Sequence, residues 1–122
     1  MVTLESMRDS LRRREEARRR NRHARWTAAK RDFDAIVSMI ERDYAPKRIY
    51  CWGSVLHPER FTETSDIDVG IEGITDPARY FELLGKAMAL TDFAVDIVQL
   101  EKIDPIFSSL IRAKGRMVYE RT

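Results

Sequence analysis

A chain of 122 residues with 43% hydrophobic side chains supports one packed domain and leaves no room for a second sizeable core. Its net charge of +2 hides a split: residues 1–31 carry 11 basic and 4 acidic side chains, while 32–122 carry 11 basic and 16 acidic. A single cysteine, Cys51, excludes a disulfide framework and makes a reducing cytoplasm the expected compartment, and no apolar run approaches a membrane span.

From Thr3 to Tyr44 there is no proline or glycine, and good helix formers dominate. The basic start lacks the apolar segment of a secretory signal, and its acids argue against a transit peptide. Trp26, Ala29, Phe33, Ile36, Val37, Ile40 and Tyr44 recur at steps of three and four, which predicts the buried face of an amphipathic helix. Upstream that face thins to Leu4, Leu11, Ala17 and Ala24. Residues 1–31 are therefore expected as a basic helical arm with little to hold it, and 32–122 as the folded domain. Pro46 ends the helix. Residues 49–52 predict a short apolar strand, stopped by Gly53, and 55–64 a turn of helix and a polar loop. Residues 66–72 alternate, which predicts a strand with Ile67, Val69 and Ile71 toward the core. Asp76-Pro77 and Asp104-Pro105 each read as an N-cap followed by proline at the first helical position. The helices they open run to about Leu90 and Lys114, the first with Tyr80, Leu83, Leu84, Ala87 and Met88 inward. Residues 93–100 predict a third strand, Gly115 a helix stop, and 116–120 a last strand. The order describes an α+β (mixed α/β) fold, a small mixed sheet backed by helices, with a long basic N-terminal helix.

The chemistry concentrates in Trp52-Gly53-Ser54 and, after ten residues, Ser65-Asp66-Ile67-Asp68-Val69. Gly53 lets the chain leave a strand sharply and lets a phosphate approach the backbone. Ser54 offers a hydroxyl and free N–H groups to phosphate oxygens. Asp66 and Asp68, two apart on a strand, project from one face, where two hard oxygen ligands suit Mg²⁺. Asp96 interrupts an otherwise apolar strand, where burial is costly without a metal or a partner. A neighbouring strand would bring it to the same place, as a second-metal ligand or a base. Ser65 serves a phosphate or merely closes a turn. Cys51 is expected as a small buried hydrophobe, and His23 and His57 as surface residues.

These residues resemble the minimal nucleotidyltransferases of the DNA polymerase β-like superfamily, the antitoxin half of HEPN/MNT toxin–antitoxin pairs. The shared pattern is an apolar strand, Gly-Ser, a linker, Ser-Asp-x-Asp and a later Asp on an apolar strand. Gly53, Ser54, Ser65, Asp66, Asp68 and Asp96 fall on those positions, and the resemblance covers about residues 32–120. Many relatives follow Gly-Ser with x-Ala-Arg-Gly; here the residues are Val55-Leu56-His57-Pro58, with Arg60 as a shifted substitute for the arginine. The resemblance implies a polymerase β-like palm and Mg²⁺ held by the catalytic carboxylates Asp66, Asp68 and Asp96. It implies ATP bound at Gly53, Ser54 and Ser65. It also implies a HEPN-type toxin partner, an RNase, that receives AMP on a tyrosine, in an oligomer or hetero-complex. Two other activities fit the same pattern. One is an antitoxin or scaffold that neutralises its partner by binding alone. The other is a small-molecule transferase of the aminoglycoside-modifying kind, which usually carries an extra helical domain that this chain lacks.

The arm, residues 8–31, lies outside the resemblance. A solvated helix is the plainer reading, and weak, salt-sensitive nucleic-acid contact the functional one. Only Trp26 offers a stacking ring, so sequence-specific recognition is not expected.

Overall fold

A computed structural model describes residues 1–122, the whole chain. Its first element, α1, is one helix of 41 residues, Leu4–Tyr44. A capping box opens it: the Thr3 hydroxyl accepts from the Ser6 amide, and the Ser6 hydroxyl accepts from the Thr3 amide. Ala45, at φ 41°, turns the chain through the left-handed region, and Pro46 prevents a further turn. The predicted apolar face is buried from Ala29 to Tyr44, joined by Met39 at its margin. Trp26 packs beside it, and its Nε1–H donates to the Val55 carbonyl at 2.8 Å. Further upstream, Leu4, Met7 and Leu11 are exposed.

Four strands follow: β1 (Arg48–Trp52), β2 (Ile67–Glu72), β3 (Val95–Gln99) and β4 (Arg116–Glu120). They form one sheet in the order β3-β2-β1-β4. β1 runs antiparallel to both β2 and β4, whereas β2 and β3 are parallel and need a crossover, supplied by α2 (Pro77–Ala89). Strand alternation sorts the side chains onto two faces. Ile49, Cys51, Ile67, Val69, Ile71 and Ile97 join α1 and α2 in the main core. Tyr50, Leu100 and Ile111 make a smaller cluster on the other face, under α3 (Pro105–Lys114). Asp76 and Asp104 cap α2 and α3 by accepting from the Arg79 and Ile106 amides. No helix is long and apolar enough to cross a membrane.

One buried charge ties α3 to the sheet. Glu72, 5% exposed, accepts from Arg112 at 2.7 Å and from Arg48 at 3.0 Å. Burial alone would raise its carboxyl; the two guanidinium hydrogen bonds outweigh that and hold it below its ordinary value.

Several details depart from expectation. Met88 is exposed, because α2 buries only the stripe through Leu83 and Ala87, and Met88 lies one residue further round the helix. Two short 3-10 turns, Gly53–Leu56 and Pro58–Arg60, replace the single turn after β1. Asp66 and Phe93 fall just outside their strands. Gly115 does end α3 as expected, at φ −76°. Its requirement is space: a Cβ there would stand 2.8 Å from the Cys51 carbonyl, so glycine lets the helix end settle on β1.

Candidate active site

β1 ends at Trp52, and the chain turns at Gly53 with φ +76°, a region that favours glycine. A Cβ at Gly53 would overlap the Asp68 carboxylate, so the turn lies directly against that side chain. Register explains the approach. Trp52 pairs with Asp68 across β1 and β2, and Asp68 pairs with Asp96 across β2 and β3. The three form a row over three neighbouring strands, on the face opposite the main core. Asp66 stands immediately before β2 and is exposed.

The carboxylates repel one another. Burial pushes the Asp68 carboxyl up to about 7, with the charges of Asp96 and then Asp66 adding to the effect. No cationic side chain counters this. The partly buried carboxylate is Asp68; Asp96, expected to bear the cost of burial, is exposed. No three His, Cys, Asp or Glu side chains close into a ready-made ligand set. Magnesium does not need one, because it takes one or two carboxylates and completes its shell with water and substrate phosphates. A hard oxygen donor set held short of positive charge fits such an ion.

Beside the Gly53 turn lies a cavity of about 400 Å³. Gly53 and Ser54 form part of its wall, and Arg60 and Lys114 bring positive charge to it. Trp52 and Phe107, edge to face at 5.4 Å, add an aromatic side. The Trp52 Nε1 is buried without a hydrogen-bond partner. The aspartates do not line this cavity; they adjoin it through the contact of Gly53 with Asp68. Ser65 is engaged elsewhere. Its hydroxyl accepts from the Thr62 amide at 2.8 Å and closes the turn that delivers Asp66. Cys51 is buried, which pushes its thiol up to about 11. His57 lines the cavity and stays exposed, while His23 sits 5.8 Å from the Trp26 ring.

Sequence reasoning did not single out Lys114 or Phe107 for this site. Both ride on α3, far downstream of Gly53, and reach the cavity because Gly115 lets that helix close onto β1. No local spacing signals such a contact.

The family model for Polymerase beta, Nucleotidyltransferase matches residues 34–122. Solved structures share the fold. A chain of the crystal structure of the toxin–antitoxin MntA-HepT is 20% identical, over 73% of this chain and 70% of that one, with a TM-score of 0.56. A chain of the crystal structure of a toxin–antitoxin with AMP-PNP is 24% identical, over 72% and 73% respectively, with a TM-score of 0.59. No curated protein matches the chain.

Proposed function

The chain belongs to the Polymerase beta nucleotidyltransferase family, and from that membership we propose that it transfers AMP from ATP to a hydroxyl of a partner toxin and so acts as an antitoxin. The observation that carries this reading is the row Trp52, Asp68, Asp96 with Gly53 folded against Asp68. The similarity to chains from toxin–antitoxin structures, one of them with AMP-PNP, supports a toxin partner and an adenine nucleotide.

Asp66, Asp68 and Asp96 would hold Mg²⁺, which when bound supplies positive charge to the phosphate oxygens around the reacting phosphorus. Gly53 and Ser54 receive the triphosphate, with the Gly53 backbone open to it and the Ser54 hydroxyl donating. Arg60 and Lys114, on the wall of the same cavity, offset its charge. Trp52 and Phe107 offer the base an aromatic side. Ser65 keeps the turn that sets Asp66. The acceptor oxygen attacks the α-phosphorus as the bond to the pyrophosphate oxygen breaks. Asp96, exposed at the end of the row, takes the acceptor proton. Asp96 is exposed on the edge strand β3, where a toxin surface would complete the site. A HEPN-type RNase carrying a tyrosine is the acceptor that the family resemblance implies.

Label transfer tests the proposal. The protein is incubated with Mg²⁺ and α-labelled ATP, GTP, CTP or UTP, with and without a HEPN-type toxin. Label should pass from ATP to the toxin, and Asp96→Ala should slow transfer about a hundredfold or more while circular dichroism stays unchanged. A tight complex with no transfer from any nucleotide would replace catalysis with neutralisation by binding.

A further inference from the structure

Nucleotidyl transfer does not use the arginines of α1, and they are not spread at random. Arg18, Arg22 and Arg25 follow at steps of four and three, on the face that continues into the core as Ala29 and Phe33. Glu5, Asp9 and Glu16, at steps of four and seven, occupy a different face. Residues 1–25 hold nine arginines and no lysine. That choice matters, because the planar guanidinium meets a phosphate with two parallel hydrogen bonds, whereas an ammonium acts as a point charge.

Where the arm leaves the body, this face looks across a cavity of about 240 Å³ toward Thr62 and Glu63. Arg25 is already fixed there. Its Nη2 donates to the Glu63 carbonyl at 3.1 Å, its guanidinium lies 5.3 Å from the centre of the Phe93 ring, and its Nε is buried with no partner. Arg18 has only a loose, exposed pairing with Glu15 at 3.5 Å, which is worth little. Glu63 is the single acid on the wall against three arginines, and its backbone carbonyl accepts from Arg25.

We propose that this notch binds the phosphate backbone of a single nucleic-acid strand, with Arg18, Arg22 and Arg25 each engaging a phosphate. At 1.5 Å of rise per residue the three stand roughly 6 and 4.5 Å apart along the helix, a spacing suited to successive phosphates of one strand. The one aromatic ring on the wall, Phe61, is fully buried, so bases find no stacking surface and binding is indifferent to sequence. The turn across the notch, Thr62 to Ser65, leads straight into Asp66.

The test is fluorescence anisotropy of a short labelled single-stranded RNA with the full chain, titrated at several salt concentrations. Arg18→Gln with Arg22→Gln should weaken binding about tenfold or more and make the log–log salt slope shallower by about 1.4, at 0.7 per lost phosphate contact. Arg25 is kept, so the loop it anchors stays in place. Arg13→Gln with Arg20→Gln removes the same charge from another face of the helix and should leave the slope nearly unchanged. Equal weakening by the two pairs would show diffuse attraction and no notch. Polyglutamate competing as well as unlabelled RNA, at equal charge, would make the occupant an acidic protein surface. Both results overturn the proposal, and neither bears on AMP transfer, which this assay does not read.

Discussion

Gly53→Ala probes the contact on which the site depends. The wild-type backbone sits at φ +76°, where an alanine costs roughly 1–2 kcal/mol relative to glycine. The new Cβ would also overlap the Asp68 carboxylate, and displacing that side chain or the turn adds about 1–3 kcal/mol. The two contributions can be separated. With Asp68→Ala already present, the overlap vanishes and only the backbone strain remains. Urea unfolding of the four proteins therefore gives a double-mutant cycle with a coupling of about 1–3 kcal/mol. Gly53→Ala should also lower transfer about a hundredfold, because a shift near 1 Å in a positioned group costs that much. If Gly53→Ala destabilises equally with and without the Asp68 carboxylate, the two do not touch and the site must be rebuilt.

Three further outcomes are expected. Glu72→Gln removes the buried carboxylate to which Arg48 and Arg112 both donate, while Arg48 keeps Glu120 and both guanidinium groups stay in reach of water, so it should cost about 1.5 kcal/mol at neutral pH. Because the folded Glu72 carboxyl lies below its ordinary 4.5, the stability it contributes is complete above that value and is lost as pH falls through the lowered one. The gap between wild type and variant in urea should therefore close in acid; a gap independent of pH would refute the ion cluster. Mg²⁺ should raise the melting temperature of the wild-type protein and have little effect on Asp66→Asn/Asp68→Asn, since binding only the native state stabilises it; an equal rise in both would place the ion elsewhere. Lys114→Ala should raise KM for ATP about tenfold, the loss of one charge-assisted contact, with kcat less affected. An unchanged KM would remove Lys114 from the triphosphate site.

The parts legible in the sequence are those governed by local periodicity. Alternation through Ile67, Val69 and Ile71 marks β2, and the Asp-Pro pairs at Asp76 and Asp104 mark the starts of α2 and α3. Two residues apart on one strand predicts a common side for Asp66 and Asp68, but strand ends are poorly marked by alternation, and Asp66 falls one residue short of β2. What periodicity does not encode is register between strands. That Asp96 stands opposite Asp68 follows from the parallel pairing of β2 with β3, which the α2 crossover sets. That Asp68 is the partly buried carboxylate and Asp96 the exposed one has the same origin: β2 is central and flanked by the Gly53 turn, whereas β3 is an edge strand. Gly115 ends α3 as expected, but its second role has no local signal: it makes room for a carbonyl from a strand more than sixty positions earlier.

α1 has no proline, glycine or cap between Leu4 and Tyr44, so the arm and the body are mechanically one piece. At 1.5 Å per residue, Leu4 stands about 33 Å from Trp26, where the helix first grips the core. Such an element works as a ruler. Anything held at its tip keeps a set distance and bearing from the carboxylates, whereas a flexible tether would let it sample a sphere. Two glycines placed between Arg20 and Trp26 would change almost nothing in charge, yet they would turn that fixed offset into a hinge.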